Sequence, residues 1–201
     1  MFVLTVDQRR SRRTADRVDS ALARLEQLAG TPGVRPPVLT FERTAGDEFQ
    51  GVLDDAPSVV AVVLDLVRQG VWHVGIGAGP VDEPLPGSTR AAHGTAFTLA
   101  RAAVDAAKRS PDHVAVRGVR EDVARDADGV LGLRAAAVAG RSGPAWEAVD
   151  LVSGGLTVSE AAAKLEVSRQ AVGQRLAAGL WPQERAARPA AARLLDEAAR
   201  G

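Results

Sequence analysis

"VLTFERTAGDEFQGVL", residues 38–53, decides how the front of this chain folds. "VLTFER" and "EFQGVL" are rich in β-branched and aromatic residues, and "TAGD" lies between them. The pattern predicts a β-hairpin with Gly46 and Asp47 in its turn. Phe49 alternates with Glu48 and Gln50, so Phe49 points to a core and its neighbours point the other way.

Working outward, "FVLTV" (2–6) predicts a strand that ends at Asp7. Val18, Leu22, Leu25 and Leu28 then fall at helical spacing, and Gly30 stops them. After the hairpin, Pro57 opens a helix that runs through Val67 to a stop at Gly70. "VWHVGIGAG" predicts a strand, "AAHGTAFTLARAAVDAAKRS" a helix and "HVAVRG" a last short strand. The order β-α-β-β-α-β-α-β predicts an α+β sandwich with helices on one face of a mostly antiparallel sheet. Past Gly118 the strand signals cease. Residues 1–118 are therefore expected to form the α+β domain, 119–143 a helical or irregular connector, and 144–201 a small all-helical domain.

Composition narrows the function. Lys plus Arg equals Asp plus Glu, 25 of each, so any contact with nucleic acid must come from a local patch. The absence of cysteine excludes disulfides and thiolate metal sites. Aromatic residues are only 3%, which argues against stacking surfaces for single strands. No apolar run approaches the ~20 residues of a membrane helix, and the N-terminus lacks a secretory pattern. A cytoplasmic protein is expected. His73, His93 and His113 have no metal-ligand spacing. "GIGAGP" is not a dinucleotide fingerprint, and "GRSGP" is not a nucleophile elbow. No catalytic residue is assigned, and a binding protein is expected rather than an enzyme.

The sharpest motif is "LTVSEAAAKLEVSRQAVGQRLAAGLW" (156–181). Thr157 and Glu160 form a capping box, and Ser168 caps a second helix after the turn "EVS". Val172 and Leu176 would face the first helix, where Ala161 and Ala162 permit a close crossing. Glu166 holds the turn position that suits glycine. The arrangement predicts a helix-turn-helix whose second helix enters the major groove of double-stranded DNA. Arg169, Gln170, Gly173 and Gln174 would lie on its outer edge; Arg pairs with guanine and Gln with adenine. Thr157, Ser168 and Arg175 would meet phosphates. Residues 143–201 carry seven basic and seven acidic side chains. Affinity per subunit would then be low, and a homodimer reading two half-sites would compensate. The plainer alternative is a pair of packed helices with a solvated face, or a surface for a protein partner.

Asp7 and Asp47 form the other candidate site. They meet if the first strand pairs with the hairpin. Two adjacent carboxylates repel, and Mg2+ relieves the repulsion while retaining waters and phosphate oxygens. Arg9, Arg10, Arg12 and Arg13 follow Asp7, and Arg43 and Gly46 flank the turn, so a nucleotide phosphate is the candidate ligand and Mg2+ the candidate cofactor. The alternative is a Gly-Asp turn beside an ordinary strand-end aspartate.

"VDQRRSRR", "TAGDEFQGVL", "VGIGAG" and "GTAFTLARAAVDAAK", followed by the terminal helical motif, together resemble the SatD family of bacterial proteins. That resemblance implies a loose link to stress and acid tolerance. The front half also resembles the class III nucleotide cyclase and GGDEF fold. This implies a ferredoxin-like plan with a strand-end aspartate (Asp7), a Gly-Asp hairpin (Gly46, Asp47) and a later "GI-x-x-G" strand (Gly75, Ile76, Gly79). The chain departs from that pattern at three places. Thr98 stands where cyclases have asparagine, Arg101 is shifted by one residue, and Ala45 replaces the first glycine of GGDEF.

Overall fold

The structure, a computed structural model, describes residues 1–201 apart from the side chain of Arg12. Five strands form one mixed sheet: β1 (Phe2–Gln8), β2 (Leu39–Ala45), β3 (Glu48–Leu53), β4 (Trp72–Ala78) and β5 (Val114–Gly118). The front helices are α1 (Val18–Leu28), α2 (Ala56–Gln69) and α3 (Thr95–Ala107). The C-terminal part adds α4 (Glu121–Ala139), α5 (Gly143–Ser153), α6 (Val158–Lys164), α7 (Arg169–Ala178) and α8 (Trp181–Ala198). The class is α+β, and the strand order is β2-β3-β1-β4-β5. β1 runs antiparallel to both β3 and β4, while β4 and β5 are parallel.

The hairpin forms as its sequence predicts. Ala45 pairs with Glu48 across the two-residue turn, and Gly46 has φ +57°. A first turn residue at positive φ is where a two-residue hairpin favours glycine. β2 is the sheet's irregular edge, with register shifts between Leu39 and Glu42 and between Arg43 and Ala45. Such shifts blunt an edge against further pairing.

Helices cover both faces of the sheet, not one. Phe2, Leu4, Val6, Phe49, Val74 and Ile76 face the layer of α1, α2, α4 and α8. Val3 and Val52 face the opposite side, where α3 packs. β1 is buried on both faces from Phe2 to Val6, so its apolar run is continuous rather than alternating. α3 begins only at Thr95, because Gly94 takes φ +134° and breaks the helix expected from Ala91 onward. A β-carbon on Gly75 or Gly77 would lie 2.2 or 2.0 Å from the α3 backbone. Those two glycines therefore set how closely α3 docks on β4.

The connector expected at 119–143 is mostly the 19-residue helix α4. Its Leu131, Ala135 and Val138 join the core beneath the sheet, as do Ala191 and Leu195 of α8. The boundaries drawn at 118 and 144 therefore run through a shared core. α5, α6 and α7 gather, with Trp181 of α8, around a separate small core made chiefly of Ala148, Val149, Ala161, Ala162, Val172 and Leu176. No helix among the described residues is long and apolar enough to cross a membrane.

Candidate functional site

The first candidate site lies where β1 leaves the sheet. Pairing of β1 with β3 sets Asp7 opposite Glu48, and the Gln8 N–H donates to the Asp47 carbonyl at 3.1 Å. Asp7 and Asp47 consequently line one open cleft of about 420 Å3, with Arg10, Ser11, Arg13, His73 and Lys108. Gln8 positions the basic loop. Its buried amide donates to Thr14 Oγ1 at 3.0 Å and to the Ala15 carbonyl at 2.7 Å, and its Oε1 accepts from the Arg17 N–H at 2.8 Å.

The cleft contains a cation that spacing alone could not reveal. Lys108 Nζ stands 3.0 Å from Asp7 Oδ2. Burial raises the Asp7 carboxyl above its ordinary value; Lys108 opposes the shift, and the Asp47 and Glu48 carboxylates add to it. Two expected members of the phosphate site turn elsewhere. Arg9 Nη1 donates to the Gly70 carbonyl at 2.9 Å. Arg43 binds Asp16 at 2.8 Å and Asp19 at 2.9 Å, and also donates to the Gly46 carbonyl. Gly46 thus serves the turn and receives Arg43. The Arg12 side chain lies outside the described residues.

The donor set does not fit Mg2+ as it stands. Among the described residues, no group of three or more His, Cys, Asp and Glu side chains is arranged to hold a metal ion. Asp7 is committed to Lys108, so a metal would have to displace an ammonium that already neutralises it. Glu48 is also committed: Arg101 donates to both of its carboxylate oxygens, at 2.5 and 2.9 Å, and Thr44 donates to Oε1 at 2.8 Å. Arg101, displaced by one position from the cyclase pattern, is here the partner of a buried carboxylate.

His73, on the cleft wall, is one of a pair of histidines. His73 and His113 meet edge to face at 4.9 Å between ring centres, and each Nδ1 is buried without a hydrogen-bond partner. Burial, then the His113 ring, pushes His73 down to about 4. Burial, with Arg9 nearby, also lowers His113. The spacing of the histidines in sequence carries no signal; the pair arises from the parallel pairing of β4 and β5.

The second candidate site is the outer edge of α7. Thr157 accepts from the Glu160 N–H at 3.2 Å while Glu160 accepts from the Thr157 N–H at 2.8 Å, completing the capping box. Ser168 Oγ accepts from the Ala171 N–H at 3.1 Å. Glu166 takes the left-handed conformation at φ +54°, and the chain turns there between α6 and α7. Val172 and Leu176 are buried, whereas Arg169, Gln170, Gly173 and Gln174 are exposed together on the other side. Arg175 lies nearer the helical core and pairs with Glu147 of α5 at 3.3 Å. The Thr157 hydroxyl both donates to and accepts from Glu160, whereas Ser168 Oγ only accepts in its cap, so its O–H stands available on this edge beside Arg169, Gln170 and Gln174.

Comparisons with protein-family models, with curated proteins and with solved structures found no match to this chain.

Proposed function

We propose that this protein is a DNA-binding transcription regulator of the SatD type. In this reading α6 and α7 are a helix-turn-helix, and the front half is a ferredoxin-like, cyclase-related unit that senses a ligand or pairs two copies. One observation carries the proposal: Arg169, Gln170, Gly173 and Gln174 form one uncovered edge at the start of α7, and the apolar side of that helix is buried. Arg169 reads guanine through two donors, Gln170 and Gln174 read adenine, and Gly173 lets the helix approach the groove. The N-terminal amides of α7 lie at the same end and suit a phosphate. Arg175 reaches a phosphate only by leaving Glu147. The strand order β2-β3-β1-β4, joined through α1 and α2, supports the ferredoxin-like plan. The SatD and cyclase likenesses rest on the motifs alone.

Gel-shift assays with fragmented genomic DNA test the proposal. Binding should weaken steeply with salt, and the double variant Arg169→Ala/Gln170→Ala should lose it while keeping the wild-type circular dichroism spectrum. Salt-insensitive binding, or binding that the double variant retains, overturns it.

A second reading is favoured by the cleft that Asp7 and Asp47 share with Arg10, Arg13 and Lys108. Three cations around two carboxylates suit the phosphates of a nucleotide. Mg2+ joins such a complex only if the phosphate draws Lys108 away from Asp7. Calorimetry with ATP, with and without Mg2+, tests this reading: heat that Lys108→Ala removes supports it, and no heat with either titrant ends it.

A further inference from the structure

A second cavity, of about 530 Å3, opens at the seam between the layer beneath the sheet and the α5–α7 unit. Its volume falls within the range of small-molecule sites. Leu28, Val60, Leu64, Val138, Val149 and Trp146 supply apolar walls drawn from α1, α2, α4 and α5. Two tryptophans and three arginines alternate beside it. Arg68 stands 4.0 Å from the Trp146 ring centre, with Arg141 at 4.8 Å; Arg141 and Arg188 stand 5.6 and 5.1 Å from that of Trp181. All four distances lie within cation–π reach.

Three arginines and three carboxylates line the cavity, but their pairing is uneven. Glu184 accepts from Arg134 at 2.6 Å, from Arg141 at 3.3 Å and from Arg188 at 3.0 Å, so three guanidiniums share one carboxylate. The side chains of Arg134 and Arg141 are only 3% and 2% exposed; Arg141 lines the cavity, and Arg134, behind that lining, keeps two buried nitrogens without a partner. The other carboxylates on the cavity wall are already taken. Asp65 binds Arg24, and Asp150 binds Arg68 through two bonds at 2.6 and 2.7 Å. Buried cations without full compensation attract an anion, and aliphatic walls beside them select one with a hydrocarbon body.

The geometry points to this seam as a binding site for a small organic carboxylate with an apolar body. The hydrocarbon lies along Val60, Leu64 and Val149, and the carboxylate meets Arg188 and Arg141. No enzyme chemistry is involved, and binding does not depend on DNA contact, so the two proposals fail independently.

Isothermal titration of the full chain with 1-naphthoate, and with the neutral isostere 1-naphthalenemethanol, tests the site. One naphthoate should bind per chain, about ten-fold or more tighter than the alcohol. Arg188→Gln should remove most of that preference. Ala61→Trp, on a partly exposed wall of the cavity, should block both ligands while leaving the far-ultraviolet spectrum unchanged. No heat with naphthoate, equal affinity for acid and alcohol, or unaltered binding in a folded Ala61→Trp variant overturns the assignment.

Discussion

His73 shows what a single side chain contributes. Its ordinary value is 6.5 and its folded value about 4, chiefly because burial disfavours the charged ring, with His113, Arg9 and Lys108 adding like charge. The unfolded chain takes up this proton as the pH falls below 6.5, and the folded chain does not until near 4. The stability due to a neutral His73 is therefore full above 6.5 and is lost as the pH falls toward 4. Asp7, raised by burial, acts with the opposite sign at the acidic end, since its folded form holds a proton more tightly than the unfolded chain does. The melting temperature should fall across the histidine window, and His73→Gln should flatten that fall; equal slopes for the two proteins would refute the assignment. At this scale, the sequence showed which residue types were present but not what they touch. Asp7 and Asp47 do share a cleft, and the strand-pairing argument explains why. Lys108 is one of only two lysines in the chain, and no motif marks it. Its position against Asp7 depends on α3 crossing the sheet, which no local pattern encodes. Arg9 and Arg43 bind closer partners, Gly70 on one side and Asp16 with Asp19 on the other.

Elements follow local rules more faithfully, and two positions show where those rules are strained or strict. Glu166 sits at φ +54°, where a side chain costs roughly 1–2 kcal/mol. Glu166→Gly should relieve that strain and raise stability by ~0.5–1 kcal/mol after the added chain entropy of glycine. Urea denaturation measures the change, and a loss of stability would show that the Glu166 side chain makes a contact of its own. Gly77 is the opposite case. The β-carbon of Gly77→Ala would lie 2.0 Å from the Ala96 carbonyl oxygen and 2.4 Å from the Ala100 nitrogen, both of which are backbone. Overpacking typically costs ~1–3 kcal/mol, and backbone cannot yield as a side chain does. Gly77→Ala should therefore lose at least about 3 kcal/mol in the same assay, and a variant as stable as wild type would mean that α3 is free to shift. The hairpin, both helix caps of the terminal motif and the turn at Glu166 were legible because each is fixed by residues within four positions. The start of α3 was not. "AAHG" carries helix formers, and only Gly94 at φ +134° reveals the break.

At the scale of the whole molecule, composition divides the chain differently from its packing. Past Gly118 the sequence turns rich in alanine and charge, and strands end there. Yet α4 and α8 pack on each other and on α2, and they close the core under the sheet. Asp128 of α4 accepts the Val116 N–H at 2.7 Å, satisfying an amide of the last strand, and the Arg120 N–H donates to the Ala198 carbonyl at 3.2 Å. Periodicity could mark α4 and α8 as helices, but burial partners far apart in sequence are set by tertiary contact, and alanine gives a weak signal of which face is inward. The division matters for experiments on the front half. A fragment of residues 1–118 lacks Leu131, Ala135, Val138, Ala191 and Leu195, all buried in the full chain against the sheet's helical layer. Losing that cover exposes Val114 and Val116 on one strand and part of α2 as one contiguous apolar patch. Expressed alone, the fragment should keep far-ultraviolet ellipticity, bind 8-anilinonaphthalene-1-sulfonate strongly and melt without a cooperative transition. The full chain should melt cooperatively and bind the dye only at the level of its seam cavity. A fragment that melts sharply and leaves the dye dark would show that the front half carries a complete core without α4 and α8.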